Sequence, residues 1–365
     1  MGRAKRKPSS SARPDIHSVA RLARVSIATV SRTINNVATV DPRLAQRVWK
    51  AIDTLGYSPN SQARALVSGR SRLLGLIISE ITNPFFPELI QGFEDVAVEN
   101  GYEILISSTN YDPQRMELCI QRMLERKVDG VAVMTFGIEG PLLDRLAQRD
   151  IPLVFVDVAP KGPLFSTIDV DYYHGIREAV QHLAVLGHRR VGFISGPLHL
   201  HSARERQSAF LRAIAEIGLK PNPAWLQEGD HTLEGGISVM QKLLNSGDPP
   251  TALMTSNDMT AIGVLHALYK AEARVPQDFS VIGFDDVTIA QFTLPPLTSV
   301  RMSRRELARC AVLALRDHLE PQPLSYVPRY QVQTRLTVRQ STGLPAARPF
   351  RRAAGRNGRK PAASS

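Results

Sequence analysis

Two short stretches with a helical repeat open the patterned part of the chain. Ile16, Val19, Ala20 and Ala23 share one face of a first helix that Asp15 can cap, and Val30 and Ile34 point inward from a second that Ser26 can cap. A third helix over residues 42–55 turns Leu44, Val48, Ala51, Ile52 and Leu55 toward the first two and stops at Gly56. Together they predict one small core, with Ile27, Ala28, Ser31 and Arg32 of the second helix facing outward. From residue 73 the pattern changes. Apolar strand-like runs recur at 73–79, 103–107, 130–135, 152–157, 190–195, 251–256 and 279–285, with amphipathic stretches between most of them. Apolar runs of strand length separated by helix-length segments predict βαβ units and parallel sheets covered on both faces, an α/β fold. Such sheets hold ligands beyond the carboxyl ends of their strands. Polar residues gather there: Asp157 closes one strand, Ser256, Asn257 and Asp258 another, and Asp285 and Asp286 a third.

Charge sharpens this picture because it is uneven. Residues 1–72 carry fourteen Lys and Arg against the acids Asp15, Asp41 and Asp53, a net +11 that equals the excess of the whole chain. The last 25 residues add six bases and no acid, so the middle is left at −6. Phosphate neutralisation is the main source of non-specific nucleic-acid affinity, so a polyanionic partner is expected for the amino-terminal end and none for the middle. The basic residues near the carboxyl end read as a solvated tail. Cys119 and Cys310 are too few for a disulfide framework and lack metal-ligand spacing, so both read as packing residues and no metal is expected. The basic start is followed by no apolar segment of signal-peptide type, and the longest aliphatic runs are far short of a membrane span, so the cytoplasm (with the nucleoid) is the expected location. Five segments follow: a disordered basic arm at 1–14, a helical domain at 15–57, a hinge and linker at 58–72, an α/β domain at 73–340 and a disordered basic tail at 341–365.

A dense set of motifs ties these segments together: Val19-Ala-Arg-Leu-Ala, Ala28-Thr-Val-Ser-Arg32, Asn35-Asn, Leu55-Gly-Tyr-Ser-Pro-Asn60 and Ala63-Arg-Ala-Leu66 in the first part. Asn83-Pro-Phe-Phe86, Val128-Asp-Gly130, Gly187-His188, Arg204 with Arg206, Asn257-Asp258, Gly283-Phe-Asp-Asp286 and Pro295-Pro-Leu-Thr298 continue it. With these residues the chain resembles the lactose-repressor (LacI/GalR) family over roughly residues 15–340. The resemblance implies a three-helix helix-turn-helix DNA-binding domain followed by a two-lobed, doubly wound effector domain of the periplasmic-binding-protein type. It also implies a transcriptional regulator, a repressor, that binds a pseudo-palindromic operator as a homodimer. No leucine heptads of the kind a tetramerising coiled coil needs follow Ser341.

In such a head the second helix enters the major groove. Arg32 is placed to donate two hydrogen bonds to guanine, worth about 1–3 kcal/mol of discrimination, and Ile27 and Ala28 offer apolar contact to thymine methyls. Ser26, Thr29, Ser31 and Asn35 are expected at phosphates or in mixed contacts. Arg24 stands where the family's turn has Gly, so either the backbone avoids a positive φ there or Arg24 adopts one at a cost on the order of 1 kcal/mol. The hinge segment 60–67 is too short to stay helical alone, and Leu66 matches the family's minor-groove wedge. The resemblance places an effector between the lobes at Phe85, Asp157, Ser202, Arg206, His231, Asn257, Asp285 and Phe292. Carboxylates and an Arg fork suit vicinal hydroxyls, and Phe85 or Phe292 can cover an apolar sugar face. Taken singly, strand-end residues such as Asp285 and Asn257 also serve simply to tie loops. Leu200 stands where purine-binding relatives carry an Arg, which turns the reading toward a sugar and away from a nucleobase. No glycine-rich phosphate loop, GxSxG elbow or nucleophile-base pair is present, so neither catalysis nor a cofactor is expected. The rival readings, a periplasmic sugar-binding protein and a sugar-modifying enzyme on the same sheet, are disfavoured by the helix-turn-helix and by these missing motifs.

Overall fold

The computed structural model describes residues 14–35, 37, 39–58, 69–135, 151–157, 162, 164–320, 329–347 and 350. The chain divides into two compact units, Met1–Arg72 and Leu73–Ser365.

The first unit contains α1 (Ile16–Ala23), α2 (Ile27–Ile34) and α3 (Pro42–Leu55). Each start is set by a side chain that satisfies an otherwise orphaned amide. Asp15 accepts from Ser18 N at 2.8 Å, Ser26 from Thr29 N at 3.1 Å, and Asp41 from Arg43 N at 2.8 Å with Pro42 at the first helical position. Gly56 closes α3 with φ 59°, a conformation glycine adopts without penalty. Val19, Ala20, Ala23, Val30, Ile34, Val48, Ala51 and Ile52 form the core. Burying each Val or Ile contributes about 1.5–3 kcal/mol, enough in sum to hold three short helices. Leu44, expected inside, is half-buried at the start of α3. Arg24 adopts the left-handed conformation with φ 52°, which decides the alternative left open by its presence in the turn. Arg47 of α3 donates to the carbonyls of Ala23 and Arg24 at 2.5 and 3.1 Å and pins this turn.

The second unit carries β1 (Leu73–Ile78), β2 (Glu103–Ser108), β3 (Gly130–Met134), β4 (Leu153–Val156), β5 (Phe165–Asp171), β6 (Val191–Ser195), β7 (Leu226–Glu228), β8 (Ala252–Thr255), β9 (Ser280–Asp285), β10 (Thr298–Met302) and β11 (Tyr330–Thr337). Its helices are α4 (Phe85–Glu99), α5 (Pro113–Glu125), α6 (Tyr172–Val185), α7 (His201–Glu216), α8 (Leu233–Asn245), α9 (Asp258–Lys270) and α10 (Arg304–Leu319). The strands run in the order β2-β1-β3-β4-β5-β11-β10-β9-β8-β6-β7. Side-chain alternation gives the first half two buried faces. Leu74, Leu76, Ala132, Met134 and Val154 meet Leu89 and Phe93 of α4 and Leu307 and Ala311 of α10; Ile77, Val131, Val133 and Phe155 meet Met116, Ile120 and Met123 of α5. All seven expected strands form. The four others escape an apolar-run reading: β5, β10 and β11 intersperse polar residues, and β7 has three residues.

Two lobes result, β1–β5 with α4, α5 and α10, and β6–β10 with α6–α9. The chain crosses between them after Asp171, after Met302 and within β11. That strand pairs in parallel with β5 through Tyr330–Gln333 and antiparallel with β10 from Thr334 to Thr337. At the crossing, Thr334 Oγ1 donates to Asp171 O at 2.6 Å and accepts from Gly175 N at 3.0 Å. The tail expected to begin at Ser341 does not leave the fold there. Ser341 is fully buried, its hydroxyl donating to Val281 O at 2.6 Å and accepting from Thr298 N at 2.8 Å, and Phe350 stacks edge-on with Phe279 at 5.5 Å. This attachment uses main-chain and hydroxyl hydrogen bonds, which leave no hydrophobic pattern to read. The basic arm up to residue 13 and the tail beyond Phe350 lie outside the described residues.

Gly175 tests the crossing. A Cβ there would lie 2.5 Å from Val300 Cγ1 and 2.7 Å from Thr334 Oγ1. Overpacking costs about 1–3 kcal/mol, which exceeds the roughly 0.5–1 kcal/mol that alanine gains over glycine in a helix. Gly175→Ala therefore lowers the urea midpoint of the chain; an unchanged or higher midpoint contradicts the packing described.

Candidate DNA-reading face and effector cleft

The outward face of α2 is available as its pattern required. Ser26, Ile27, Ala28, Arg32 and Asn35 are exposed, while Thr29 and Ser31 are half-buried. Ile27 is 42% exposed. The Ser26 hydroxyl is shared between capping Thr29 N and bonding Thr29 Oγ1 at 2.9 Å, so this pair is pre-positioned at the positive end of α2. Leu66 lies outside the described residues.

In the second unit, strand ends from both lobes surround a cleft of about 370 Å³, part of it open to solvent. Six of the eight expected effector residues line it: Phe85, Ser202, Arg206, His231, Asn257 and Asp285. Asp157 reaches it through an intermediary, accepting from Val170 N at 3.1 Å and from the Tyr172 hydroxyl at 2.6 Å. Tyr172 in turn lies against the Arg206 guanidinium, 5.1 Å from its ring centre. Phe292 is not part of the cleft. It ends the short turn Thr288–Phe292 and is 72% exposed, because the turn carries it away from the strand end that delivers Asp285. Asn83, Phe86, Tyr111 and Leu200 complete the lining and were not assigned to the site from sequence. Phe86 is buried and also a wall of the cleft. Tyr111 follows β2 through the left-handed pair Asn110 (φ 52°) and Tyr111 (φ 57°), and the strand-end rule applied to β2 would have found it.

Arg206 is the centre of the cleft. Only 4% exposed, it donates to Ser256 O at 2.5 Å, stands over the Phe284 ring at 4.1 Å and faces Asp285 Oδ1 at 3.8 Å. Burial pushes Asp285 up to about 6 in spite of the Arg206 and Arg304 cations beside it. Asp285 and Asp286 both have positive φ, 107° and 55°, and Arg304 holds this bend by donating to both carbonyls. Arg304 also pairs with Glu88 of α4 at 2.8 Å, and Glu88 accepts from Thr288 N at 2.8 Å, so a carboxylate of the first lobe clasps the strand end of the second. Asn257 is largely spent on structure: its carbonyl caps α9 at Thr260 N and its amide donates to His231 O, both at 2.9 Å. Ser202 is free to act, its buried hydroxyl having no partner among the described residues. His231 donates to or accepts from Ser256 Oγ at 3.0 Å, and burial, reinforced by the Arg206 charge, holds its imidazole down to about 3. The lining therefore offers one cation, a carboxylate, a neutral imidazole and the hydroxyls of Ser202 and Tyr111 beside the apolar rings of Phe85 and Phe86.

Residues 15–60 match the family described as bacterial regulatory proteins, lacI family, and residues 180–342 match a periplasmic binding protein-like domain. The HTH-type transcriptional repressor PurR of Photobacterium profundum is 33% identical over 306 residues, 84% of this chain and 92% of that protein. The chain belongs to the lacI family. The ribose operon repressor of Escherichia coli (strain K12) is 36% identical to this lacI-family chain over 325 residues, 88% of it and 98% of the relative. The crystal structure of the lac repressor dimer bound to operator and the anti-inducer ONPF superposes with a TM-score of 0.80 at 26% identity, covering 90% of this chain and 99% of that one. As a lacI-family member the protein is a DNA-binding transcriptional regulator and not an enzyme. No helix among the described residues is long and apolar enough to cross a membrane.

The buried imidazole supplies a pH test. His231 is neutral when folded and takes a proton near 6.5 when unfolded, so the unfolded chain binds more protons as pH falls from about 6.5 toward about 3, and stability declines over that window. Asp285, raised from 3.8 to about 6, acts with the opposite sign between those values. Urea unfolding of His231→Gln against the parent across this range shows a flatter acid-side decline in the variant; parallel curves contradict a buried neutral imidazole.

Proposed function

We propose that this protein is a cytoplasmic, homodimeric repressor that binds a pseudo-palindromic operator and is controlled by a sugar or sugar derivative in the Arg206 cleft. Arg32 reads guanine in the major groove, Ile27 and Ala28 contact thymine methyls, Ser26, Thr29, Ser31 and Asn35 hold phosphates, and Leu66 of the hinge wedges the minor groove. Leu66 and the division into arm, hinge and tail rest on the sequence alone.

The observation that carries the effector reading is the buried Arg206 with Asp285 beside it and the unpartnered Ser202 hydroxyl in the same cleft. A planar donor fork and a carboxylate bind vicinal hydroxyls in a bidentate way, and Phe85 and Phe86 supply the apolar wall that one face of a sugar ring needs. Leu200 in the lining offers no hydrogen bond to a nucleobase edge, and a relative is named for ribose. A second copy is supported by Ile289, Phe292 and Leu294, which are 49%, 72% and 93% exposed within one short stretch of the surface. Three large apolar side chains clustered this way favour burial against a partner, and a two-fold related copy supplies the matching patch. The lac repressor relative is itself a dimer on its operator.

Control follows from the contacts that span the lobes. Asp157 of the first lobe bonds Tyr172 at the start of α6 in the second, Tyr172 and Asp285 both lie against Arg206, and the Glu88–Arg304 clasp closes the far edge. A ligand that engages Arg206 and Asp285 changes the relative energy of open and closed lobes by its differential contacts, and the duplex-reading head responds to that equilibrium.

A mirrored pair of variants tests this. Arg32→Ala lowers the preference for a duplex enriched by the parent over random competitor by about 1–3 kcal/mol, read by fluorescence anisotropy, and leaves calorimetric titration with a panel of sugars and sugar acids unchanged. Arg206→Ala does the reverse, keeping ligand-free duplex binding and losing the titration signal. Retained discrimination in the first variant, or a normal titration in the second, contradicts the role assigned to that residue.

A further inference from the structure

The left-handed Arg24 points to a second anion-contacting surface on the helical unit. A solvent-open cleft of about 870 Å³ lies between the end of α1 and α3, lined by Leu22, Arg24, Arg47, Lys50 and Thr54 with alanine methyls between them. Three of these residues are cations and none is an acid. Arg47 is already committed to the carbonyls of Ala23 and Arg24. Arg24 and Lys50 are not: among the described residues neither side chain has a hydrogen-bond or ion-pair partner. Two unpaired cations facing one cleft repel each other, and one of them occupies a backbone conformation that glycine would fill without strain. An anion in the cleft relieves that repulsion.

We propose that Arg24 and Lys50 clamp the DNA backbone beside the groove occupied by α2, a proposal that rests on the reading of α2 as the groove helix. Arg24 is two residues from Ser26, the cap of α2, a separation of at most about 7 Å along an extended chain. A duplex carries one phosphate per roughly 3.4 Å of axis on each strand, so a cation that close to a helix end seated at the backbone has a further phosphate within the length of its side chain. Lys50 faces the same cleft from α3 and meets that phosphate from the other side. The clamp carries no sequence information. It adds grip and fixes register, and α2 does the reading.

The salt dependence of binding by the full chain tests this on a duplex that the parent enriches from a random-sequence pool. Each phosphate contact contributes about 0.9 to the slope of log K against log salt, so Arg24→Gly and Lys50→Ala each flatten the slope by about one and weaken binding to enriched and random duplexes by the same factor. Arg24→Lys keeps the parent slope, because a point charge serves a phosphate. Arg24→Gly melts no lower than the parent, since glycine accepts the positive φ and the Arg47 acceptors are main-chain carbonyls. Unchanged slopes in both charge-removing variants overturn the clamp and assign the cleft to another acidic partner. Altered base preference in Arg24→Gly overturns it in favour of direct reading. A parent that enriches no duplex at all defeats the reading of α2 itself, a different failure.

Discussion

A guanidinium almost wholly withdrawn from water is the constraint on which the second unit depends. Around Arg206, Ser256 supplies a carbonyl, Phe284 and Tyr172 supply π faces, and Asp285 supplies the countercharge. Breaking such a buried pair by removing one partner costs about 3–5 kcal/mol, far more than an exposed ion pair contributes. The groups around Arg206 are therefore held to it. Tyr172 reaches back to Asp157, Asp285 sits on a positive-φ bend, and that bend is kept by Arg304 and through it by Glu88. On the proposed effector reading, a polar ligand in this cleft competes for groups that already define how the lobes meet, which ties its binding to lobe geometry.

The crossings confine that equilibrium to a narrow set of motions. The chain passes between lobes near Asp171, near Met302 and in the middle of β11, and Thr334 bonds the first of these to the third. Gly175 packs where no Cβ fits, so the start of α6 moves with β10 and β11. Rotation about such a seam is hinge-like, with the change absorbed at a few element ends. The first unit has a different economy. Its core is small, its ends are fixed by side-chain caps, and its outward residues are left for a partner.

The helices of the head were legible because their signals are local: Asp15, Ser26 and Asp41 with Pro42 begin them and Gly56 ends the last. Six of the seven strands were legible because a strand buried on both faces is an unbroken apolar run, and β2, at the sheet edge, through its short run Ile104–Ile106. β11 was not, because Tyr330–Thr337 alternates and exposes one side, and its partners lie far away in sequence. The strand-end rule pointed to Asp157, Asn257 and Asp285, of which Asn257 and Asp285 line the cleft, but it could not say that Asn257 is mostly a cap and that Asp157 meets the cleft only through Tyr172. Phe292 escapes the rule for a related reason. A turn separates it from Asp285, and hydropathy does not record which way a turn faces. Ser341 reads as tail in the sequence because burial by hydrogen bonding leaves no apolar trace.

Coupling between cleft and duplex is tested most directly by a reciprocal titration of the full chain. Ligand affinity is measured calorimetrically with the protein alone and saturated with its enriched duplex, and duplex affinity is measured with and without that ligand. The two ratios are expected to be equal, on the order of 5–150-fold, as linkage requires of two sites sharing one conformational equilibrium. A ligand that binds Arg206 with the same affinity whether or not duplex is present would contradict it.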